Sequence, residues 1–445
     1  MKRRDVMKLG AAALAATAAS PKPARAVRMA GSTDCAPVSG DQETIANTAF
    51  YIPGYWPQSV YFAGVPAIRH KHLARAIPDG YYGSIKMLTR LAGDGSVKQA
   101  LFPVGGHDVV ISPDGGIGFF GALERQDYVS FDPQTLDLVA MGKPYASGWI
   151  GGGHGTFIDN GKLLAVSERA PKTPYSGKPA SHYGRITLRD PQTLKIVESY
   201  SSHGIAPHDI CLLPDGRHLA IANYGSVVAQ NHADYAIPRK VVESSVVVID
   251  LANGKRVAKQ TTGKERIETR HLTALDVDRI FAIKVEMAAT GRDQIHLKNQ
   301  QYAYEGDFTT PDDHCYLPTP LIALNAANSA IREIGEGSER GFMRQGIGIK
   351  YEEQHGEVLV TFPSSHSLFV IDAATSEVKQ RIDTAAIGLD YPCGLSMIPG
   401  SPFYAVSGYW KNLFIFRRGS HEPLRELCHY ASFFGHSHMT AVRTG

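Results

Sequence analysis

The chain has 445 residues, of which 43% are hydrophobic and 20% are charged, and its formal net charge is +3. Residues 1–26 contribute a net five positive charges, so the remainder carries about −2, and no basic patch indicates nucleic-acid binding. Beyond that segment no apolar run approaches the roughly 18 residues that span a bilayer. We therefore expect neither a nucleic-acid partner nor a membrane span.

The first 26 residues have the order of a signal peptide. Arg3 and Arg4 precede an apolar run at Leu9–Ala19, and Ala24-Arg25-Ala26 forms a small-x-small cleavage site. The arginine pair resembles the twin-arginine export pattern. The sequence therefore predicts export of a folded protein to the periplasm, with residues 1–26 removed.

The five cysteines are Cys35, Cys211, Cys315, Cys393 and Cys428. An odd number in an oxidising compartment leaves at least one unpaired within the chain. None belongs to a CxxC motif, which gives no support for a thiol-redox motif or a zinc ribbon.

Two kinds of β-hairpin alternate along the chain. One kind joins an apolar strand to a more polar strand through Asp-Pro, Asn-Gly or Gly-Ser turns, as in YVSFDPQTLDLVAM from Tyr128 and SVVVIDLANGKRVAKQ from Ser245. The other kind has Pro-Asp-Gly or Asn-Gly at the turn, as in APHDICLLPDGRHLAIANY from Ala206. Together they make a four-stranded unit repeating every 45–75 residues or so, which is typical of a propeller blade.

The two ends of the chain complement each other. GHSHMTAV near the C-terminus reads as an inner strand without outer partners, whereas the N-terminal region supplies outer strands without an inner one. Pairing Met439–Val442 with strands near Tyr61 and Ser84 completes a seventh blade and removes an open sheet edge. We predict an all-β, seven-bladed β-propeller over residues 58–445 after an extension at 27–57. Separate β-sandwiches are the alternative.

Alignment of the inner strands places one residue from each blade near the propeller axis. These seven residues are His107, His154, His208, His271, Gln345, Cys393 and His438. Imidazole is the commonest neutral metal ligand near pH 7, and several on a rigid ring suit iron, copper or zinc. A thiolate at Cys393 would favour copper or zinc. Further candidates nearby are His203, His436, Asp108, Asp209 and Glu286. The alternative is a metal-free polar channel in which the histidines bind backbone carbonyls and water.

Three motifs together resemble a known family. They are GGHGTFIDNGKLLAVSE, SHGIAPHDICLLPDGRHLAIANYG and TRHLTALD. They are similar to those of twin-arginine-exported bacterial propellers catalogued as a domain of unknown function, within the quinoprotein amine dehydrogenase β-chain-like and YVTN-repeat superfamily. The resemblance implies motif histidines at His154, His203, His208 and His271, and an association with imelysin-type iron-uptake proteins. Long insertions at Val227–Val242 and Arg292–Pro318 depart from that pattern.

Three functions remain open at this point. The first is a periplasmic metal-binding propeller in iron or copper acquisition or homeostasis, which is the leading hypothesis. The second is a metal-dependent oxidoreductase acting on a small molecule at the channel mouth, and the third is a metal-free interaction scaffold. The chain has no GxSxG, HExxH or Walker motif, so hydrolase and nucleotide chemistry have no support.

Overall fold

The computed structural model describes eleven stretches of the chain: 39–55, 86–102, 106–123, 127–170, 178–179, 182–226, 241–287, 316–325, 328–409, 412–428 and 438–444. A compact unit comprises residues 44–445. The predicted signal peptide lies outside the described residues. No helix in the described part of the chain is long and apolar enough to cross a membrane.

Seven antiparallel sheets, which we number blades 1 to 7, make up the fold, so the predicted seven-bladed propeller is confirmed. The innermost strands of blades 1 to 7 are β29 (Thr440–Arg443), β4 (Gly106–Ile111), β8 (Ile150–Ile158), β12 (Pro207–Leu212), β16 (Ile267–Asp276), β21 (Ile349–Glu352) and β25 (Pro392–Met397). The second strands are β1 (Thr48–Tyr55), β5 (Gly118–Ala122), β9 (Leu163–Arg169), β13 (His218–Asn223), β17 (Arg279–Met287), β22 (Glu357–Phe362) and β26 (Phe403–Gly408).

The outer half of each blade has the same antiparallel order. The third strands are β2 (Lys86–Ala92), β6 (Tyr128–Phe131), β10 (Gly184–Arg189), β14 (Val241–Asp250), β19 (Leu321–Asn325), β23 (Ser367–Asp372) and β27 (Asn412–Arg417). The outermost strands are β3 (Val97–Phe102), β7 (Leu138–Gly142), β11 (Ile196–Ser201), β15 (Lys255–Glu265), β20 (Ala330–Ile334), β24 (Val378–Asp383) and β28 (Pro423–Cys428). A short extra strand, β18 (Tyr316–Leu317), pairs with the end of β17, and a helix, α1 (Ser39–Ala46), precedes β1.

Neighbouring blades pack through apolar faces, because successive side chains of a strand point to opposite faces of its sheet. Between blades 1 and 2, for example, Tyr51 and Leu88 pack with Phe120 and Phe131, all at most 1% exposed. The innermost strands touch one another in the order β29, β4, β8, β12, β16, β21, β25 and back to β29. The blades therefore form a closed ring.

Blade 1 closes the ring with strands from both ends of the chain, as predicted. β29 pairs with β1, and Ala441 lies opposite Phe50 in an apolar layer shared with blade 7. The partner strand of β29 is thus Thr48–Tyr55, inside the stretch that the sequence analysis assigned to an extension. Pro53 and Gly54 interrupt the pattern of that strand, and both are unusual in strand interiors. Tyr61 lies outside the described residues.

We predict that deleting residues 440–445 lowers the midpoint of thermal unfolding by about 5–10 °C, because β29 and its apolar layer are lost. It also exposes the edge of β1, so the variant should self-associate. Circular dichroism and size-exclusion chromatography measure the two effects. Deletion of residues 444–445 is the control, and equal behaviour of the two deletions would contradict closure through β29.

Candidate metal centre at the propeller axis

Five of the predicted histidines meet at the axis. His107, His154, His208, His271 and His438 come from blades 2, 3, 4, 5 and 1, and we call them the histidine cluster. His154, His208 and His271 are at most 3% exposed. Among the described residues, two groups have metal-ligand spacing, His107–His154–His438 and His154–His208–His271, and within each group the ligand atoms lie within 4.8 Å of one another.

β-Bulges occur where the innermost strands carry these side chains. A bulge inserts residues into one strand, bends it and re-aims a side chain, and it often lies beside a functional site. The irregular steps of the ladders fall between Gly106 and Asp108, Gly151 and Gly155, Pro207 and Ile210, and Thr269 and His271. The bulges thus locally break the strand alternation at the cluster.

The glycines before His154 are required by close packing. Gly153 has φ +110°, and a Cβ atom there would lie 2.9 Å from Cδ2 of His107 and 3.1 Å from Cε1 of His208. A Cβ atom on Gly152 would lie 2.4 Å from Oγ of Ser167 and 2.5 Å from the carbonyl oxygen of Pro207. The GGG run at 151–153 is therefore the sequence signal for a crowded backbone at the axis.

A backbone carbonyl fixes the orientation and tautomer of His208. Nδ1 of His208 lies 2.5 Å from the carbonyl oxygen of Gly152, which can only accept a hydrogen bond, so Nδ1 carries the proton. The guanidinium of Arg169, which can only donate, lies 3.1 Å from the same nitrogen, so the shorter contact with Gly152 decides the tautomer. Arg169 donates to the carbonyls of Pro207 and Gly152. The lone pair of His208 is consequently on Nε2.

Two carboxylates hold His154. Its Nδ1 lies 3.2 Å from Oδ1 of Asp209 and 3.3 Å from Oδ2 of Asp108. Asp209 also accepts hydrogen bonds from the backbone N–H groups of Ile210 and Leu272, so its position is fixed by blades 4 and 5. A carboxylate on one imidazole nitrogen is the usual support for a histidine whose other nitrogen binds a metal.

The electrostatics keep three rings of the cluster neutral. Burial, with the charges of neighbouring histidines, lowers the pKa of His208 and of His271 well below the usual value, and burial lowers the pKa of His438 to about 3. Burial also opposes charge on His154, but Asp209 and Asp108 outweigh it and raise the pKa of that ring. Neutral imidazoles offer the lone pairs that a metal ion needs.

The pKa values of the two carboxyl groups beside His154 are shifted in opposite directions. Burial raises the pKa of Asp209. Burial also opposes ionisation of Asp108, but the charge and hydrogen bond of His154 outweigh it and lower the pKa of that carboxyl. Together they place negative charge beside the cluster.

Several imidazole nitrogens of the cluster lack hydrogen-bond partners within the described residues. They are Nε2 of His154, His208 and His438 and Nδ1 of His271, all buried. A buried polar atom without a partner costs about 1–3 kcal/mol. A cation bound by either three-histidine group would satisfy the nitrogens of that group.

A family model described as "Protein of unknown function (DUF1513)" matches residues 103–433. The chain belongs to this family. No curated protein matches the chain. Among solved structures, a chain of hydrazine synthase from Kuenenia stuttgartiensis is similar, with a TM-score of 0.54 and 12% identity over 76% of this chain and 93% of that chain. At such low identity the likeness shows the fold alone.

The other predicted site residues of this DUF1513 member make different contacts. Nε2 of His203 donates to the carbonyl of Gly254, and Oε1 of Gln345 accepts from Ser364. Cys393 donates its thiol to the carbonyl of Tyr391, and burial raises its pKa well above the usual value, so it is not a thiolate. Glu286 pairs with Arg266 at 3.4 Å, and His436 lies outside the described residues.

Sequence reasoning did not identify Ser167 and Arg169, two supporting residues of β9. Oγ of Ser167 donates to the carbonyl of His208 at 2.7 Å, and Arg169 lies over the ring of Tyr224, which itself packs on His208. Both are at most 6% exposed. Their sequence context, VSERA, carries no pattern that distinguishes them from an ordinary strand end.

We predict that Gly153→Ala weakens metal binding at least tenfold, because the new methyl group displaces His107 and His208. Isothermal titration with the metal ion measures the effect. Gly95→Ala is the matched control, since Gly95 has φ +90° with no atom near its Cβ position. Equal metal affinities of the two variants would show that Gly153 is needed only for its positive φ angle and not for the space beside His107 and His208.

Proposed function

We propose that this DUF1513 member is a periplasmic protein that holds one iron or copper ion in the histidine cluster and serves acquisition or homeostasis of that metal. The observation that carries the proposal is the convergence on the axis of buried imidazole nitrogens that have no hydrogen-bond partner among the described residues. The two candidate metal groups share His154, whose Nδ1 faces Asp108 and Asp209, so that only Nε2 is left to bind a metal. The two groups cannot both be occupied through this one nitrogen, so we propose one ion per chain.

The choice of metal follows from the donor set. Imidazole nitrogens suit iron, copper, nickel and zinc, whereas carboxylate and water sites suit magnesium and calcium. Cys393 belongs to neither metal group in the described part of the chain, so the thiolate argument for copper or zinc does not apply. The adjoining carboxylates offset the charge of a divalent or trivalent ion. We therefore retain iron or copper as the proposed metal. Finding zinc instead would indicate a site without redox activity.

The proposed location rests on the sequence of residues 1–26. An exported protein that folds in the cytoplasm can take its metal before it meets the metals of the periplasm. The likeness to propellers that accompany imelysin-type proteins supports a role in iron uptake, with those proteins as candidate partners.

We predict about one equivalent of iron or copper in protein purified from the native host after growth with both metals. The double variant His154→Ala/His208→Ala should contain less than a tenth of that amount, because each metal group loses at least one ligand. Elemental analysis by mass spectrometry is the measurement.

The control for the metal measurement is His218→Ala, since His218 pairs with Asp215 away from the cluster. Circular dichroism establishes that each variant is folded. Equally low metal in the native protein and the double variant would reject the proposal and favour the metal-free scaffold.

We predict that replacing Arg3 and Arg4 by lysine retains the protein in the cytoplasm, because twin-arginine export depends on that pair. Immunoblots of periplasmic and cytoplasmic fractions measure the distribution. Replacing Lys2 and Lys8 by arginine is the control for charge alone. Periplasmic accumulation of the Arg3→Lys/Arg4→Lys variant would contradict this route.

A further inference from the structure

Lys350 is a charged residue of β21, the innermost strand of blade 6. The strand β22 pairs with the outer edge of β21, and β16 and β25 contact it from the neighbouring blades. Ile349 and Glu352 of β21 are at most 4% exposed, whereas Lys350 is exposed. Because the inner edge of an innermost strand faces the central channel of a propeller, the Lys350 side chain extends into that channel.

The charge of Lys350 acts on side chains of four other blades. It acts electrostatically on His438 of blade 1, Asp108 of blade 2, His154 of blade 3 and Asp209 of blade 4. Only a position close to the axis is near all four of these blades. The ammonium group therefore lies in the channel beside the histidine cluster.

This ammonium group has no counter-charge in direct contact. Among the described residues Lys350 forms no ion pair, so Asp108 and Asp209 balance its charge only at longer range. The N–H of Tyr351 donates to Oγ1 of Thr273 at 3.2 Å, which fixes the backbone of β21 against blade 5. The fold thus holds a positive charge beside a site that we propose for a cation.

We infer that Lys350 lowers the affinity of the histidine cluster for its ion, so that the bound ion can be released. The inference rests on the proposed function, since it requires the ion, and it goes further by assigning a residue that regulates the site. In the metal-free protein, Lys350 supplies positive charge near Asp108 and Asp209. An ion in the cluster supplies the same charge, so the lysine and the ion repel each other and compete for the same carboxyl groups.

The imidazoles already experience this repulsion. Burial and the charge of Lys350 both act to lower the pKa of His154 and of His438, although the two aspartates outweigh them at His154. A proton and a metal ion both add positive charge to these rings, so a charge that disfavours one also disfavours the other. Both candidate metal groups include His154, so the repulsion applies to either group.

The repulsion also depends on the charge of the ion. Lys350 disfavours Cu(II) more than Cu(I), and Fe(III) more than Fe(II), because the Coulomb energy grows with the charge. Compared with an uncharged residue, Lys350 therefore raises the reduction potential of the bound ion. The oxidised ion is the form that the protein releases more readily.

The test compares full-length, metal-free native protein with Lys350→Met, which removes the charge but keeps a long side chain. We expect the variant to bind Cu(II), and Fe(II) under anaerobic conditions, about tenfold more tightly. Competition with a chelator of known affinity measures the difference. Lys350→Arg keeps the charge and should bind as the native protein does. Lys162→Met is the matched control, since Lys162 pairs with Asp159 at the surface.

Ionic strength separates the charge of Lys350 from its packing. The tighter binding by Lys350→Met should shrink by at least half between about 20 mM and about 0.5 M of a non-coordinating salt, because mobile ions screen charges across a hydrated channel. A packing effect would not depend on salt in this way.

The reduction potential of the copper-loaded protein is a second measurement. It should be lower in Lys350→Met than in the native protein, because loss of a positive charge stabilises the more highly charged ion. Lys350→Arg should have the native potential. Voltammetry of the loaded proteins measures both.

The outcomes distinguish this inference from the proposed function. Equal or weaker metal binding by Lys350→Met overturns the inference while the metal-binding function stands. Tighter binding that Lys350→Arg shares, that salt leaves unchanged or that leaves the potential unchanged assigns the effect to shape and also overturns it. If Lys350→Met does not fold, Lys350→Gln removes the charge instead. A native protein and variant that both bind no ion fail the proposed function itself.

Discussion

The crowding of five imidazole rings on one axis is the constraint that much of the surrounding structure serves. The rings lie 4.5–6.4 Å apart, and a charge on every ring would be prohibitive in a buried space. Burial therefore holds His208, His271 and His438 neutral, whereas at His154 the nearby carboxylates outweigh burial and favour the charged form. That balance leaves several ring nitrogens with lone pairs and no hydrogen-bond partner among the described residues, an arrangement that a metal ion would stabilise.

The backbone is locally irregular where it supports this arrangement. A regular strand alternates its side chains between the two faces of a sheet, and the bulges before and after the histidines break that alternation. Gly152 and Gly153 let blade 3 approach the axis closely, while Ser167 and Arg169 tie blade 3 to the backbone of blade 4. The cluster is rigid because strands hold it, and rigid ligands suit a fixed coordination geometry.

The blades of the ring contribute different side chains to the axis. Blades 1 to 5 contribute histidines, whereas blades 6 and 7 contribute Ile347 and Cys393 in the same register. His154, with Asp108 and Asp209 at its Nδ1, belongs to blade 3.

The sequence by itself determined the seven blades and their closure, because strand alternation and turn residues are local signals that repeat. It also determined which five histidines approach the axis, since each lies at the start of an inner strand. Only the tertiary structure decided that Gln345 bonds to Ser364 and that Ile347 takes the register of Cys393, because bulges shift the register by amounts that no local pattern records. It alone paired Asp108 and Asp209 with His154 and brought β1 beside β29, since those contacts join residues from different blades or from opposite ends of the chain.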